Sequence, residues 1–140
     1  MFLKRTSLLL ALAVTLGLAA VASAAAAPGH ASLLIRHQTQ GCHSWSVNGG
    51  AFKASQSITL RHGGVLTVTN NDVMPHTLVL KSGPSLRIAH PKLGHTGASL
   101  TLTLAKPGVY HFGTKAGDDY IAGIKTTGED NVLRLTVVVS

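Results

Sequence analysis

The side chains best suited to chemistry fall in two short stretches of the sequence. One is Cys42-His43, with His37 just ahead of it; the other is Asn70-Asn71-Asp72-Val73-Met74-Pro75-His76. Thiolate, imidazole and thioether are soft to borderline donors; thiolate with imidazoles suits copper or zinc, and a thioether favours Cu(I). Cys42 is the single cysteine, so it forms no internal disulfide. In an exported chain it must be reactive, be ligated or bridge two molecules. Adjacent Cys42 and His43 reach one ion only from a turn, because successive side chains of an extended strand point to opposite faces. Gly41 permits such a turn.

Each of these residues also has a plainer reading. His76 would serve equally as a surface histidine at a strand start, and Cys42 as a buried thiol, although its polar loop argues against simple core packing. His37 shares the parity of Leu33 and Ile35, which fits a core histidine bonded to a backbone carbonyl as well as a ligand. Met74 reads as apolar cover before it reads as an axial ligand, and Trp45 is expected to pack over the Cys42-His43 loop and shield it. His111 alternates with Tyr110 and Phe112 and so faces away from them, towards solvent, while His62, His90 and His95 lie in turns or loops and read as exposed. Asp118, Asp119, Glu129 and Asp130 lack the spacing of a calcium loop. Serine, histidine and aspartate occur without a nucleophile elbow, so no enzymatic activity is expected.

The elements that must position these groups begin after an amino-terminal segment of a different kind. Met1-Phe2-Leu3-Lys4-Arg5, an apolar stretch from Leu8 to Val21 and Ala22-Ser23-Ala24 form the three-part layout of a secretory signal peptide. Residues 1–26 are read as that signal, 27–30 as a flexible leader and 31–140 as one domain, long enough for a modest core. The protein is expected to be secreted or periplasmic, and to meet a membrane only if the signal segment stays uncleaved. The chain has 12 Lys+Arg against 5 Asp+Glu, and Lys4 and Arg5 leave with the signal. The remaining cations are scattered from Arg36 to Arg134 without runs or interleaved aromatics, so no nucleic-acid footprint is expected. A solvated basic surface that aids encounter with an acidic partner fits better.

Alternation of apolar residues gives strands at Leu33 to His37, Ser57 to Leu60, Val65 to Thr69, Thr77 to Leu80, Leu100 to Leu104, Val109 to Phe112 and Val132 to Val139. The turns are Arg61-His62-Gly63-Gly64 and Lys106-Pro107-Gly108, and polar loops are expected from Gln38 to Ser46, Lys81 to Gly97 and Gly113 to Asp130. No stretch after the signal keeps a helical period. The expected architecture is all-β, an antiparallel sandwich or barrel.

Two segments then resemble the cupredoxin family, the fold of plastocyanin and azurin. Asn70-Asn71-Asp72-Val73-Met74-Pro75-His76-Thr77-Leu78 is similar to the segment that delivers that family's first copper-binding histidine. Lys106-Pro107-Gly108-Val109-Tyr110-His111-Phe112 is similar to the turn and Tyr-x-Phe strand that lead into its main ligand loop. The resemblance implies a cupredoxin-like Greek-key β-sandwich, copper as cofactor and His76 as the first ligand. The sequence departs from the family after Tyr-x-Phe, where Gly113-Thr114-Lys115-Ala116-Gly117 replaces the loop of Cys, His and Met, and Thr114 stands about where the thiolate would be. From Gly113 onward there is no Cys, His or Met. In the family's layout the loop after the first strand lies at the same end as the Pro-His segment. The metal set implied is therefore His76 with Cys42, His43 and His37.

The functional expectation is an exported copper-binding protein of the redox or electron-transfer kind, with a redox partner or a copper-accepting protein. Two alternatives stay open: a carrier or buffer for Cu(I), and a metal-free interaction module in which Cys42 pairs two chains.

Overall fold

The computed structural model describes residues 25–37, 43–116 and 133–140, apart from the side chains of His37, His43 and Ala116. Residues 1–24 of the segment expected to be a signal, Cys42, and the expected loop beyond Ala116 lie outside the described residues. Nine strands and no helix occur among those described: β1 (His30–His37), β2 (His43–Val47), β3 (Ser55–Leu60), β4 (Gly64–Asn70), β5 (His76–Ser82), β6 (Lys92–Leu93), β7 (Ser99–Leu104), β8 (Gly108–Ala116) and β9 (Arg134–Val139).

Period-two alternation does most of the construction. In β4, Leu66, Val68 and Asn70 turn inward and are buried, while Val65, Thr67 and Thr69 are half-buried on the other side. Leu102 and Leu104 of β7, Tyr110, Phe112 and Thr114 of β8, and Leu135, Val137 and Val139 of β9 repeat the pattern. Their inner faces share one hydrophobic core between a four-stranded sheet, ordered β2-β1-β4-β7, and a five-stranded sheet, ordered β3-β9-β8-β5-β6. Each fully buried aliphatic side chain stabilises such a core by about 1.5–3 kcal/mol relative to exposure. The architecture is the β-sandwich expected from the sequence.

The direction of the strands differs from expectation. β1 pairs with β4 in parallel, and so does β3 with β9. Alternation reports which face of a strand is buried and carries no information on strand direction, so an all-antiparallel sandwich was one of several arrangements it allowed. The expected polar loop from Gln38 to Ser46 is also shorter at its far end, because β2 begins at His43. Ser44 and Ser46 conceal this strand: both are buried although their composition reads as loop. Trp45 between them is fully buried in the core, with its indole N–H donated to the Ala54 carbonyl at 3.2 Å; the stretch 38–42 that it was expected to shield lies outside the described residues.

The 27–30 stretch, expected as a flexible leader, is tied to its neighbours. The Pro28 carbonyl accepts the Arg61 amide at 3.0 Å and the Gly29 carbonyl the Val65 amide at 2.9 Å. Parallel pairing of His30 with Val65 extends β1 back to that point. The loop from Lys81 to Gly97 contains the short strand β6, which closes one edge of the five-stranded sheet.

Candidate functional site

The chain crosses from one sheet to the other between β4 and β5, and the crossover is the segment Asn71 to Pro75. Asn70, the last residue of β4, is fully buried and organises it. Its side-chain Nδ2 donates to the carbonyls of Met74 at 2.8 Å and Leu93 at 3.1 Å, while its Oδ1 accepts the Asp72 amide at 2.9 Å. Asn is suited to this position because it alone among small side chains offers a carbonyl and an amine on one planar group. Asp72 continues the turn by accepting the Met74 amide on Oδ1 at 3.2 Å, and the Asp72 carbonyl takes the Thr96 hydroxyl at 2.8 Å. Within the crossover Asp72 and Met74 are buried and Asn71 and Val73 exposed, so the turn has an inner and an outer side.

His76 opens β5 immediately after this turn. Its imidazole is completely buried, and Nε2 lies 2.9 Å from Asp72 Oδ2. His76 is therefore not the surface histidine of the plainer reading. On the adjoining strand the register pairs His76 with Ala116 and Leu78 with Thr114. Thr114 thus shares the inward face with His76 and Leu78, as a diagonal neighbour of the histidine, a relation that spans about 7–8 Å. Its hydroxyl is buried and has no hydrogen-bond partner among the described residues. Replacing that hydroxyl by a methyl keeps the shape and removes an unmet polar group. Thr114→Val should raise stability by about 1 kcal/mol, measured as a higher urea midpoint at unchanged slope; a lower midpoint would mean the hydroxyl is satisfied in solution.

The ladders decide which other residues share this end. β1 runs parallel to β4 with Ile35 beside Asn70, and the Asn71 amide donates to the Ile35 carbonyl at 2.8 Å. His37, two residues on, therefore stands at the same end as the crossover, and the β1–β2 register pairs it directly with His43. The backbone positions of His37 and His43 and the imidazole of His76 thus gather at one end of the sandwich. Cys42, next to His43 in the sequence, lies outside the described residues. Among the described residues no group of three or more His, Cys, Asp or Glu side chains is arranged to hold a metal.

Two features of this end were not anticipated. Asp72 is the partner of His76, and the only sequence signal is a carboxylate four residues before a histidine across a short turn. The Leu93 to Ala98 stretch also packs here, with the Gly97 amide donated to Asn70 O at 2.7 Å, so His95 is an exposed histidine at the same end. Met74 is buried, 7% exposed, in agreement with apolar cover. His111 is exposed as expected, with Nδ1 3.3 Å from the Thr136 hydroxyl.

No protein-family model and no curated protein sequence matches the chain. Solved structures do. McoA multicopper oxidase from the hyperthermophile Aquifex aeolicus matches with a TM-score of 0.51 at 10% identity, over 84% of this chain and 30% of that one. The 2F4 variant of that oxidase gives 0.50 at 11% identity, over 82% and 29%. The purple cupredoxin from Nitrosopumilus maritimus is 18% identical over 78% of this chain and 98% of that chain, with a TM-score of 0.46. The fold is cupredoxin-like. At these identities the likeness is one of fold, and it does not carry a ligand set across. In the cupredoxin-like frame two further details fall into place. The Tyr110 hydroxyl donates to the Lys106 carbonyl at 2.7 Å and pins the turn before β8, and the Tyr110 and Phe112 rings stack with centroids 6.1 Å apart.

Proposed function

We propose that this protein is an exported copper-binding electron-transfer protein whose copper would be held by His76 with Cys42, His43 and His37. The observation that supports this best is the gathering of His37, His43 and His76 at one end of a cupredoxin-like sandwich. The turn beside the two strand ends is cross-braced through Asn70 and Asp72, and a frame that holds its donors would let a metal change oxidation state with little rearrangement. Imidazoles and a thiolate are the donors copper favours in both states, and Cys42 is the only residue that could supply the thiolate. Copper, when bound, supplies one-electron exchange; the protein supplies donors, rigidity and exclusion of water. Export rests on the signal-like layout of Met1 to Ala24, and the basic surface suits a redox partner with an acidic face.

The test is titration of the mature protein with Cu(II) and Cu(I), repeated on Cys42→Ala and His76→Ala. The Cu(II) form should show an intense thiolate-to-copper absorption that disappears in Cys42→Ala. Both variants should lose more affinity than the roughly 10–100-fold that removal of a merely supporting residue costs. Tight binding of Cu(I) alone, without colour or reversible electron transfer, would replace this reading with a Cu(I) carrier. Negligible metal uptake, with Cys42 in an intermolecular disulfide, would replace it with an interaction module.

A further inference from the structure

We infer that Asp72 is a positioning residue that locks the proton of His76 on Nε2 and so keeps the ring's lone pair on Nδ1. The inference deepens the copper reading of His76, but its first half stands without any metal. The Asp72 and His76 side chains are both 0% exposed, and Asp72 Oδ2 lies 2.9 Å from Nε2. The other carboxylate oxygen is committed: Oδ1 accepts the Met74 amide, which has a hydrogen to give and nothing to receive with. The Asp72 backbone is held as well, its amide by Asn70 Oδ1 and its carbonyl by the Thr96 hydroxyl. The carboxylate therefore cannot swing away, and it presents an acceptor to Nε2. A ring nitrogen facing an acceptor carries the proton, and in the neutral ring the remaining nitrogen keeps the lone pair that binds a metal. A carboxylate behind a ligating imidazole also makes that imidazole a stronger donor.

The same geometry makes Asp72→Asn a switch instead of a simple deletion. An amide nitrogen cannot accept the Met74 N–H, so the new amide oxygen must take the Oδ1 position. Its NH2 then faces His76 Nε2, donor against donor. The ring relieves this by carrying its proton on Nδ1, which removes the lone pair from that atom with almost no change of shape.

The experiment is a long-range 1H–15N correlation of the His76 ring in metal-free protein, for wild type and Asp72→Asn. Wild type should show a protonated Nε2 and an unprotonated Nδ1, and the variant the reverse. A wild-type ring protonated on Nδ1, or on both nitrogens, overturns the inference without needing the variant to fold; an unchanged pattern in a folded Asp72→Asn also overturns it. Cu(I) affinity is then compared for the two proteins, with a loss of roughly 10–100-fold expected in the variant. If the proton moves and the affinity does not, the positioning role stands and His76 is removed from the copper site.

Discussion

Asn70→Ala should lower stability by about 3–5 kcal/mol, the larger of the effects expected from a single side chain outside the apolar core. The substitution removes the donors to Met74 O and Leu93 O and the acceptor for the Asp72 amide. All three belong to the buried centre of the crossover, where water does not readily replace them. Each lost partner leaves a desolvated polar group costing about 1–3 kcal/mol, partly relieved as the turn relaxes. The neighbouring Thr69→Ala is the control. Thr69 bonds Ser99 across an exposed face at 3.1 Å, and its loss should cost under about 1 kcal/mol. Urea unfolding of both variants decides the matter; equal midpoints would mean that the crossover carries little of the stability. Because Asn70 also sets the turn that leads into His76, hydrogen exchange of the Met74 and His76 amides should accelerate in Asn70→Ala before the core strands do.

Why the fold was largely legible, and the site only partly so, follows from what each depends on. The strands ending in Asn70, Leu104 and Val139 announce themselves because one face of each is buried, and burial of one face is what alternation records. Strand direction leaves no such trace, and hence the parallel β1–β4 and β3–β9 pairs were invisible. β2 was missed at Ser44 and Ser46, small polar residues that fit a covered strand without looking like one. His76 was singled out because the Pro75-His76 segment resembles a known arrangement, and the structure adds its complete burial. Its buried contact with Asp72 was not legible, since a separation of four residues has a fixed meaning on a helix and none in a turn. Trp45 is a further case: its burial in the core, with the indole bonded to Ala54, comes from a strand connection that local pattern does not reveal.

Trp45→Ala should cost about 3–5 kcal/mol, as expected for truncating a fully buried tryptophan, and the loss should be felt first in β2. That strand is an edge of the four-stranded sheet, bonded to β1 on one side only. Trp45 also ties it to the β3 side. Its backbone amide and carbonyl bond Lys53 at 3.1 Å and the carbonyl accepts Gln56 Nε2 at 2.8 Å, bonds that an alanine keeps. The core-buried indole and its bond to Ala54 are what the substitution removes. The residue therefore ties the edge of one sheet to the strand β3 at the edge of the other. Trp45→Phe keeps most of the apolar contact and forfeits the indole hydrogen bond, and should cost about 1–2 kcal/mol. Thermal unfolding of the pair, with hydrogen exchange of the Lys53 and Trp45 amides, measures both claims. Equal losses in the two variants would show that the hydrogen bond, and not the packed ring, is what matters. The consequence for the site follows from the register. His43 opens β2 opposite His37, so loosening β2 moves the His43 backbone relative to His76 while leaving the Asn70–Asp72 turn intact. Copper affinity should then fall in Trp45→Ala although Trp45 offers no metal donor. If the variant loses β2 protection and still binds copper as tightly as wild type, His43 is not a ligand, and the metal is held by His76 with donors that do not depend on β2.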